Sequence, residues 1–215
     1  MKTQKISIPV SESLGAVSAE VIAGADMTFL YLFAHGAGAG MNHPFMVKLS
    51  RALADFAIGT LRYNFPYMEK GSKRPDPPAI AERTVNRAIE VARERYPSIP
   101  LLAGGKSFGG RMTSQALAKS AAPASGIIFT GFPLHAPGKP GTDRASHLQE
   151  IHIPMLFLQG TRDALADKAL MERVCTGLPT ATLKEFEGAD HSFKAGKADL
   201  IPALAKAIHD WTSAL

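Results

Sequence analysis

The chain has 215 residues, of which 46% are hydrophobic and 20% charged, with seven histidines, one cysteine and a formal net charge of +5. That length and balance predict one soluble globular domain over residues 1–215 with a substantial core, and the lone Cys175 excludes an internal disulfide and makes a reducing cytoplasm the expected compartment. The positive excess between Arg62 and Arg111 is interleaved with Glu69, Asp76, Glu82, Glu90 and Glu94, so it reads as a solvated face; with no zinc-ligand spacing or other recognition motif beside it, no nucleic-acid partner is expected.

Met1 to Val10 alternates polar and apolar residues where a signal peptide needs an apolar core, which predicts a first strand, Ile6 to Val10. Strands follow at Val17 to Ile22 and Phe29 to Ala34; the longest obvious apolar run, Met27 to Ala34, contains Thr28 and is too short to span a membrane. A glycine-rich loop, His35-Gly36-Ala37-Gly38-Ala39-Gly40, leads to a helix over Pro44 to Phe56 and a strand over Gly59 to Asn64. The proline-rich stretch Lys73 to Pro78 enters a helix over Ile80 to Tyr96, whose Ala81, Val85, Ala88, Ile89 and Ala92 recur at helical spacing. Next come a strand at Pro100 to Gly104, a helix over Phe108 to Ala121 and a strand at Gly126 to Thr130. The last third reads as strand Met155 to Gln159, helix Asp167 to Cys175, strand Thr182 to Glu187 and helix Ile201 to Trp211. This alternation predicts an α/β fold with a mostly parallel central sheet flanked by helices.

The most informative stretch is Leu101 to Gly110, an apolar strand running into Gly105-Lys106-Ser107-Phe108-Gly109 and then a helix. A serine on so sharp a strand-to-helix turn needs neighbours with almost no side chain two positions either side, and Gly105 and Gly109 supply them. The helix then aims free N–H groups at whatever Ser107 attacks. The upstream His-Gly loop has no Gly-Lys-Ser/Thr to make a phosphate cradle, and it matches a dinucleotide fingerprint poorly. It fits the second half of an oxyanion hole, in which the N–H of Ala37, or failing that of Gly36, joins that of Phe108. His35 reads as a loop brace.

A serine needs a base to take its proton and an acid to orient that base. His191 is the best placed of the seven histidines, in the tight loop Glu187 to Phe193 between the last strand and the last helix. Asp163 follows the penultimate strand; Asp167 is its rival, although it is equally suited to capping the next helix. Asp190 reads as shaping the histidine turn. The order is Ser107, Asp163, His191.

On these residues the chain resembles the α/β-hydrolase superfamily over essentially its full length, with that order of serine, acid and histidine on loops at the carboxyl ends of parallel strands. More narrowly, His35-Gly36-Ala37-Gly38, Asn64-Phe65-Pro66-Tyr67-Met68, Gly104 to Ser107 and Gly131 to His135 resemble a small dienelactone-hydrolase-like group. The hydrolase-like subunit of the non-specific lethal chromatin complex is akin to that group, while dienelactone hydrolases proper carry cysteine where this chain has Ser107. The resemblance implies a serine hydrolase that cleaves a carboxylic ester or thioester through an acyl-enzyme, with no metal or organic cofactor. Lactone or peptide-bond cleavage by the same residues, and a hydrolase-fold scaffold with little turnover, are the alternatives. The connection from Thr130 to Met155 is too short for the large helical cap of many lipases, so an open site is expected. Phe45, Met46, Tyr67, Met68, Phe108 and Phe132 are candidates to line an acyl pocket. Lys106 and Arg111 flank the serine in sequence; one reading has them favour an anionic substrate, and the preferred reading has them point away into solvent.

Overall fold

Alternating strands and helices build one eight-stranded sheet, in the order β1-β2-β4-β3-β5-β6-β7-β8, in a computed structural model that describes residues 1–120 and 123–215. The chain opens with an antiparallel hairpin, β1 (Lys2–Ser11) and β2 (Gly15–Ala23), then enters β3 (Phe29–Ala34), α1 (Pro44–Ala54) and β4 (Ile58–Tyr63). The short helix α2 (Pro66–Glu69) and the long α3 (Pro78–Arg95) lead to β5 (Leu101–Lys106), α4 (Phe108–Lys119) and β6 (Gly126–Thr130). A 3-10 helix over Asp143–Glu150 precedes β7 (Met155–Gly160), α5 (Lys168–Thr176), β8 (Ala181–Phe186) and α6 (Ile201–Thr212). Strands β3 to β8 pair in parallel, and β2 joins β4 antiparallel. This is the α/β-hydrolase fold, with no cap over the carboxyl ends of the strands among the described residues.

The central strands are apolar on both faces because both are covered. Met46, Leu49 and Leu53 of α1 join Leu204, Ala205 and Ile208 of α6 over one face of the sheet. Ala81, Val85, Ala88, Ile89 and Ala92 of α3 pack with Met112 and Ala116 of α4 and Met171 of α5 over the other. The alternation therefore located every strand and long helix, with ends shifted by a few residues; Ala121, the expected end of α4, lies outside the described residues. Two elements were not expected. Helix α2 is a single turn begun by Pro66, and the 3-10 helix buries only Ala145 and Leu148, too few for a helical stripe.

Strand order positions the site. From β3 the chain steps to β4 on one side, then crosses back to β5 on the other, so the loops leaving β3 and β5 diverge to opposite faces. The crevice opens between them, at the carboxyl ends. Below the loop that follows β3, the buried Arg62 of β4 pairs with Glu20 of β2 and donates to the Met41 carbonyl at 2.8 Å. The Asn64 side chain accepts from the Met41 N–H at 2.8 Å. The loop is thus tied to the sheet where it returns to α1.

Candidate active site

Ser107 stands at the junction of β5 and α4 with φ +51° and ψ −116°, a conformation that costs a non-glycine residue about 1 to 3 kcal/mol. Two backbone bonds hold it there: its N–H donates to the Thr130 carbonyl at 3.2 Å, and its carbonyl accepts from the Arg111 N–H at 3.1 Å. The flanking glycines have no alternative. A Cβ on Gly105 would lie 2.4 Å from the Ala34 carbonyl oxygen, and one on Gly109 2.5 Å from the same atom.

His191 is presented by a turn that Asp190 shapes, its Oδ1 accepting from the N–H groups of Ser192 and Lys194. The imidazole Nε2 lies 2.8 Å from Ser107 Oγ, and Nδ1 lies 2.7 Å from Asp163 Oδ2. Nδ1 therefore carries the proton toward the carboxylate, leaving the Nε2 lone pair for the hydroxyl. Asp163 is 5% exposed; its Oδ1 accepts from the Leu165 N–H at 2.8 Å and its Oδ2 also accepts from Gln159 Nε2 at 2.6 Å. Asp167 is not at the histidine: it caps α5, accepting from the Leu170 N–H.

Gln159 was not anticipated. Its amide donates to Asp163 while its carbonyl accepts from the Phe132 N–H at 2.9 Å, which locks the carboxylate to the end of β6. A polar residue near the end of an otherwise apolar strand, four before the acid, is the only sequence signal for it.

The loop after β3 leans against the elbow: a Cβ on Gly36 would lie 3.8 Å from that of Ser107. His35 braces it as expected, its Nε2 accepting from the Phe65 N–H at 3.1 Å and its Nδ1 donating to the Gly36 carbonyl at 2.8 Å. Tyr67 Oη accepts from the Gly38 N–H at 3.0 Å. Between these anchors the Ala37 N–H donates to no other group among the described residues, and the same holds for the Phe108 N–H at the start of α4. Two unspent donors beside Ser107 can hold a negative oxygen.

The fully buried His35 ring is kept neutral, its pKa lowered to about 4 by burial, against the opposing bond to Gly36. Between its ordinary value of 6.5 and about 4 the unfolded chain binds more protons, so stability falls as pH falls through that window. At about 1.4 kcal/mol per pKa unit the loss is about 3 kcal/mol. Urea unfolding at pH 7 and pH 4 is expected to show it in wild type and to show a smaller loss in His35→Gln; equal losses would remove His35 as the cause.

A cavity of about 350 Å³ opens over Ser107, walled by Ala37, Phe45, Met46, Lys106, Leu165 and His191 among others. Phe45 and Met46 lie where the sequence placed them. Tyr67, Met68 and Phe132 do not line it: Tyr67 spends its hydroxyl on the loop brace, Met68 packs against the core, and Phe132 is buried between Phe129 and Phe157. Phe108 packs edge-on against Phe65 and brings its backbone rather than its ring to the site. Lys106 is a correction in the opposite sense. Its ammonium turns inward, donating to the His191 carbonyl and lying 5.4 Å from the Phe193 ring centroid. Burial pushes its pKa down to about 8, opposed by Asp163 and Asp190. Arg111 stays off the cavity, near Arg144.

Among the other histidines, His135 is buried and accepts from the Asp167 N–H at 2.9 Å. A second serine–histidine contact joins Ser114 to His147 at 2.7 Å, but Ser114 donates its proton to the Arg111 carbonyl and so accepts from His147. Burial and the cations Arg111 and Lys119 push His147 down to about 4, against the opposing charge of Glu82, and among the described residues no carboxylate is hydrogen-bonded to it. That pair has neither a free base nor a strained elbow. The thiol of the buried Cys175 is pushed up to about 12 by burial, which leaves it unreactive.

A family model for an alpha/beta hydrolase domain matches residues 27–209. Among solved structures, a dienelactone hydrolase from Anabaena variabilis is 19% identical with a TM-score of 0.82, the match covering 99% of this chain and 97% of that one. A serine hydrolase without lid from Xanthomonas campestris is 19% identical with a TM-score of 0.77, over 98% and 95% of the two chains. Est1E from Butyrivibrio proteoclasticus, solved with ferulic acid bound, is 12% identical with a TM-score of 0.79, over 97% and 98%. At these identities the likeness is one of fold.

Proposed function

The chain belongs to the alpha/beta hydrolase family, and from that premise we propose that it is a serine hydrolase cleaving a small-molecule carboxylic ester or thioester through an acyl-enzyme on Ser107. The observation that carries this reading is the unbroken chain from Ser107 Oγ through the His191 ring to Asp163, at 2.8 and 2.7 Å.

Ser107 Oγ attacks the carbonyl carbon while His191 Nε2 takes its proton, and Asp163 stabilises the imidazolium that results. The carbonyl oxygen becomes an oxyanion held by the N–H groups of Ala37 and Phe108, an arrangement in which each donor is worth about 3 to 4 kcal/mol in the transition state. The intermediate collapses, the carbonyl–heteroatom bond breaks, and His191 returns the proton to the departing alcohol or thiol. Water, deprotonated by His191, then attacks the acyl-enzyme; the acyl–Oγ bond breaks as His191 returns that proton to Ser107 Oγ, releasing the acid and restoring the free enzyme. All the protons are carried by His191, so the scheme uses no metal or organic cofactor. A cytoplasmic location belongs to the same proposal and rests on the single buried Cys175.

The test is a panel of activated esters and thioesters followed at early times. Expected are a burst of leaving group equal to one per protein and stoichiometric labelling by a fluorophosphonate. Folded protein that shows neither overturns the reading. Asp163→Asn, which keeps the carboxyl shape but favours the wrong imidazole tautomer, is expected to lower kcat about 10⁴-fold; a rate within tenfold of wild type would dismiss Asp163 as the orienting acid.

A further inference from the structure

Lys106 precedes the nucleophile in sequence and lies beside it in space, yet the scheme above gives it no part. Its stem runs past Gly36, and its ammonium lies 2.9 Å from the point where Gly131 would carry a Cβ, a point itself 3.6 Å from His191 Cε1. The ammonium has three donors, and among the described residues only the His191 carbonyl accepts one. Its other neighbours include the stacked rings of Phe45 and Phe193, with centroids 6.0 and 5.4 Å away, and the catalytic cavity, while the carboxylates of Asp163 and Asp190 act on it without a hydrogen bond. A desolvated cation so poorly partnered is costly to keep unless something arrives to complete it.

We propose that Lys106 receives a free carboxylate on the substrate, so that the preferred substrates are monoesters or monothioesters of dicarboxylic acids rather than neutral esters. This rests on the serine-hydrolase reading and narrows it. A carboxylate in the cavity takes up the two idle donors and forms an ion pair shielded by the two phenyl rings, where charge-assisted bonds are strongest. The displaced pKa, about 8, marks the same incompleteness, since Asp163 and Asp190 raise it too little to offset burial.

The surroundings favour anions independently. A neighbouring trough of about 480 Å³ shares His43, Phe45 and Ser192 with the catalytic cavity and carries Lys48, Lys194 and Lys197. Its carboxylate, Asp199, accepts from the Ile201 N–H and offsets one of these three charges, which leaves the lining positive. A positive approach of this kind raises the local concentration of an anionic ester and of its on-rate at low salt.

The test compares phenyl hydrogen adipate with its neutral counterpart, phenyl methyl adipate, reading kcat/KM from phenol release in wild type and Lys106→Met. Wild type is expected to favour the charged ester by about ten- to hundredfold, the range of one charge-assisted contact, and Lys106→Met to lose that preference. The ratio is the readout because whatever Lys106 does for the His191 loop acts on both esters and cancels. A wild-type ratio near one, or a preference that survives Lys106→Met, overturns the inference. Binding of monomethyl adipate to Ser107→Ala by calorimetry gives a readout without turnover. If neither ester is hydrolysed and wild type takes no fluorophosphonate, the hydrolase reading has failed. Lys106-dependent binding of monomethyl adipate then still supports the carboxylate site, and its absence removes that as well.

Discussion

Ser107→Ala is expected to fold as wild type does and to lose about 10⁶-fold in kcat on any ester the protein hydrolyses, together with all fluorophosphonate labelling. The magnitude follows from what remains. Without Oγ no acyl-enzyme forms, and His191 and Asp163 have no nucleophile to serve. Only the Ala37 and Phe108 donors and the shape of the cavity are left, which in such sites retain about 10³- to 10⁴-fold over water. The fold is expected to survive because the elbow is held by backbone bonds to Thr130 and Arg111 that the hydroxyl does not make. Alanine at φ +51° carries the same strain as serine, so thermal unfolding is expected to be unchanged within a few degrees. Rates measured per folded molecule decide the matter: a loss under a hundredfold would move the nucleophile elsewhere.

Gly109→Ala is expected to damage stability and activity together. Its new Cβ would meet the Ala34 carbonyl oxygen at 2.5 Å, the Ala34 carbonyl carbon at 2.6 Å and the His35 carbonyl oxygen at 2.6 Å. All three are backbone, so no rotamer relieves the clash; α4 must move away from β3, or the end of β3 must give. Overpacking of this kind costs about 1 to 3 kcal/mol. Either movement separates the Phe108 N–H from the Ala37 N–H, and misplacement by about 1 Å costs about 10²-fold in rate. Gly141, where a Cβ would meet nothing within 4 Å, is the control, and Gly141→Ala is expected to change neither property. If Gly109→Ala were as stable and as fast as Gly141→Ala, the close approach of α4 to β3 would have no part in the site.

Most of the fold was legible because its signals are local. Phe29 to Ala34, Leu101 to Gly104 and Met155 to Leu158 are apolar runs bounded by turn residues, and buried parallel strands need nothing else to be recognised. Ala81, Val85, Ala88, Ile89 and Ala92 mark the inner face of α3 by spacing alone. The elements that escaped, α2 and the 3-10 helix, are too short to show a period. In the site, Ser107 was legible because its neighbouring glycines are dictated by close backbone approach, and His191 and Asp163 because each follows a strand that ends at the same edge. Side-chain direction was not legible. Tyr67, Met68 and Phe132 are near that edge in sequence, but a pinned hydroxyl, packing against the core and aromatic partners, respectively, keep them off the cavity.

By itself, then, the sequence determined the α/β order, the strained turn at Ser107 and the succession of serine, acid and histidine, since period, glycine spacing and position after a strand are properties of short segments. Only the tertiary structure decided that Asp163 meets His191 while Asp167 caps a helix, that Gln159 holds the acid, and that Lys106 turns into the cavity. Each of those outcomes depends on which polar groups are brought within about 3 Å by strands far apart in the chain, and burial then makes their pairing compulsory.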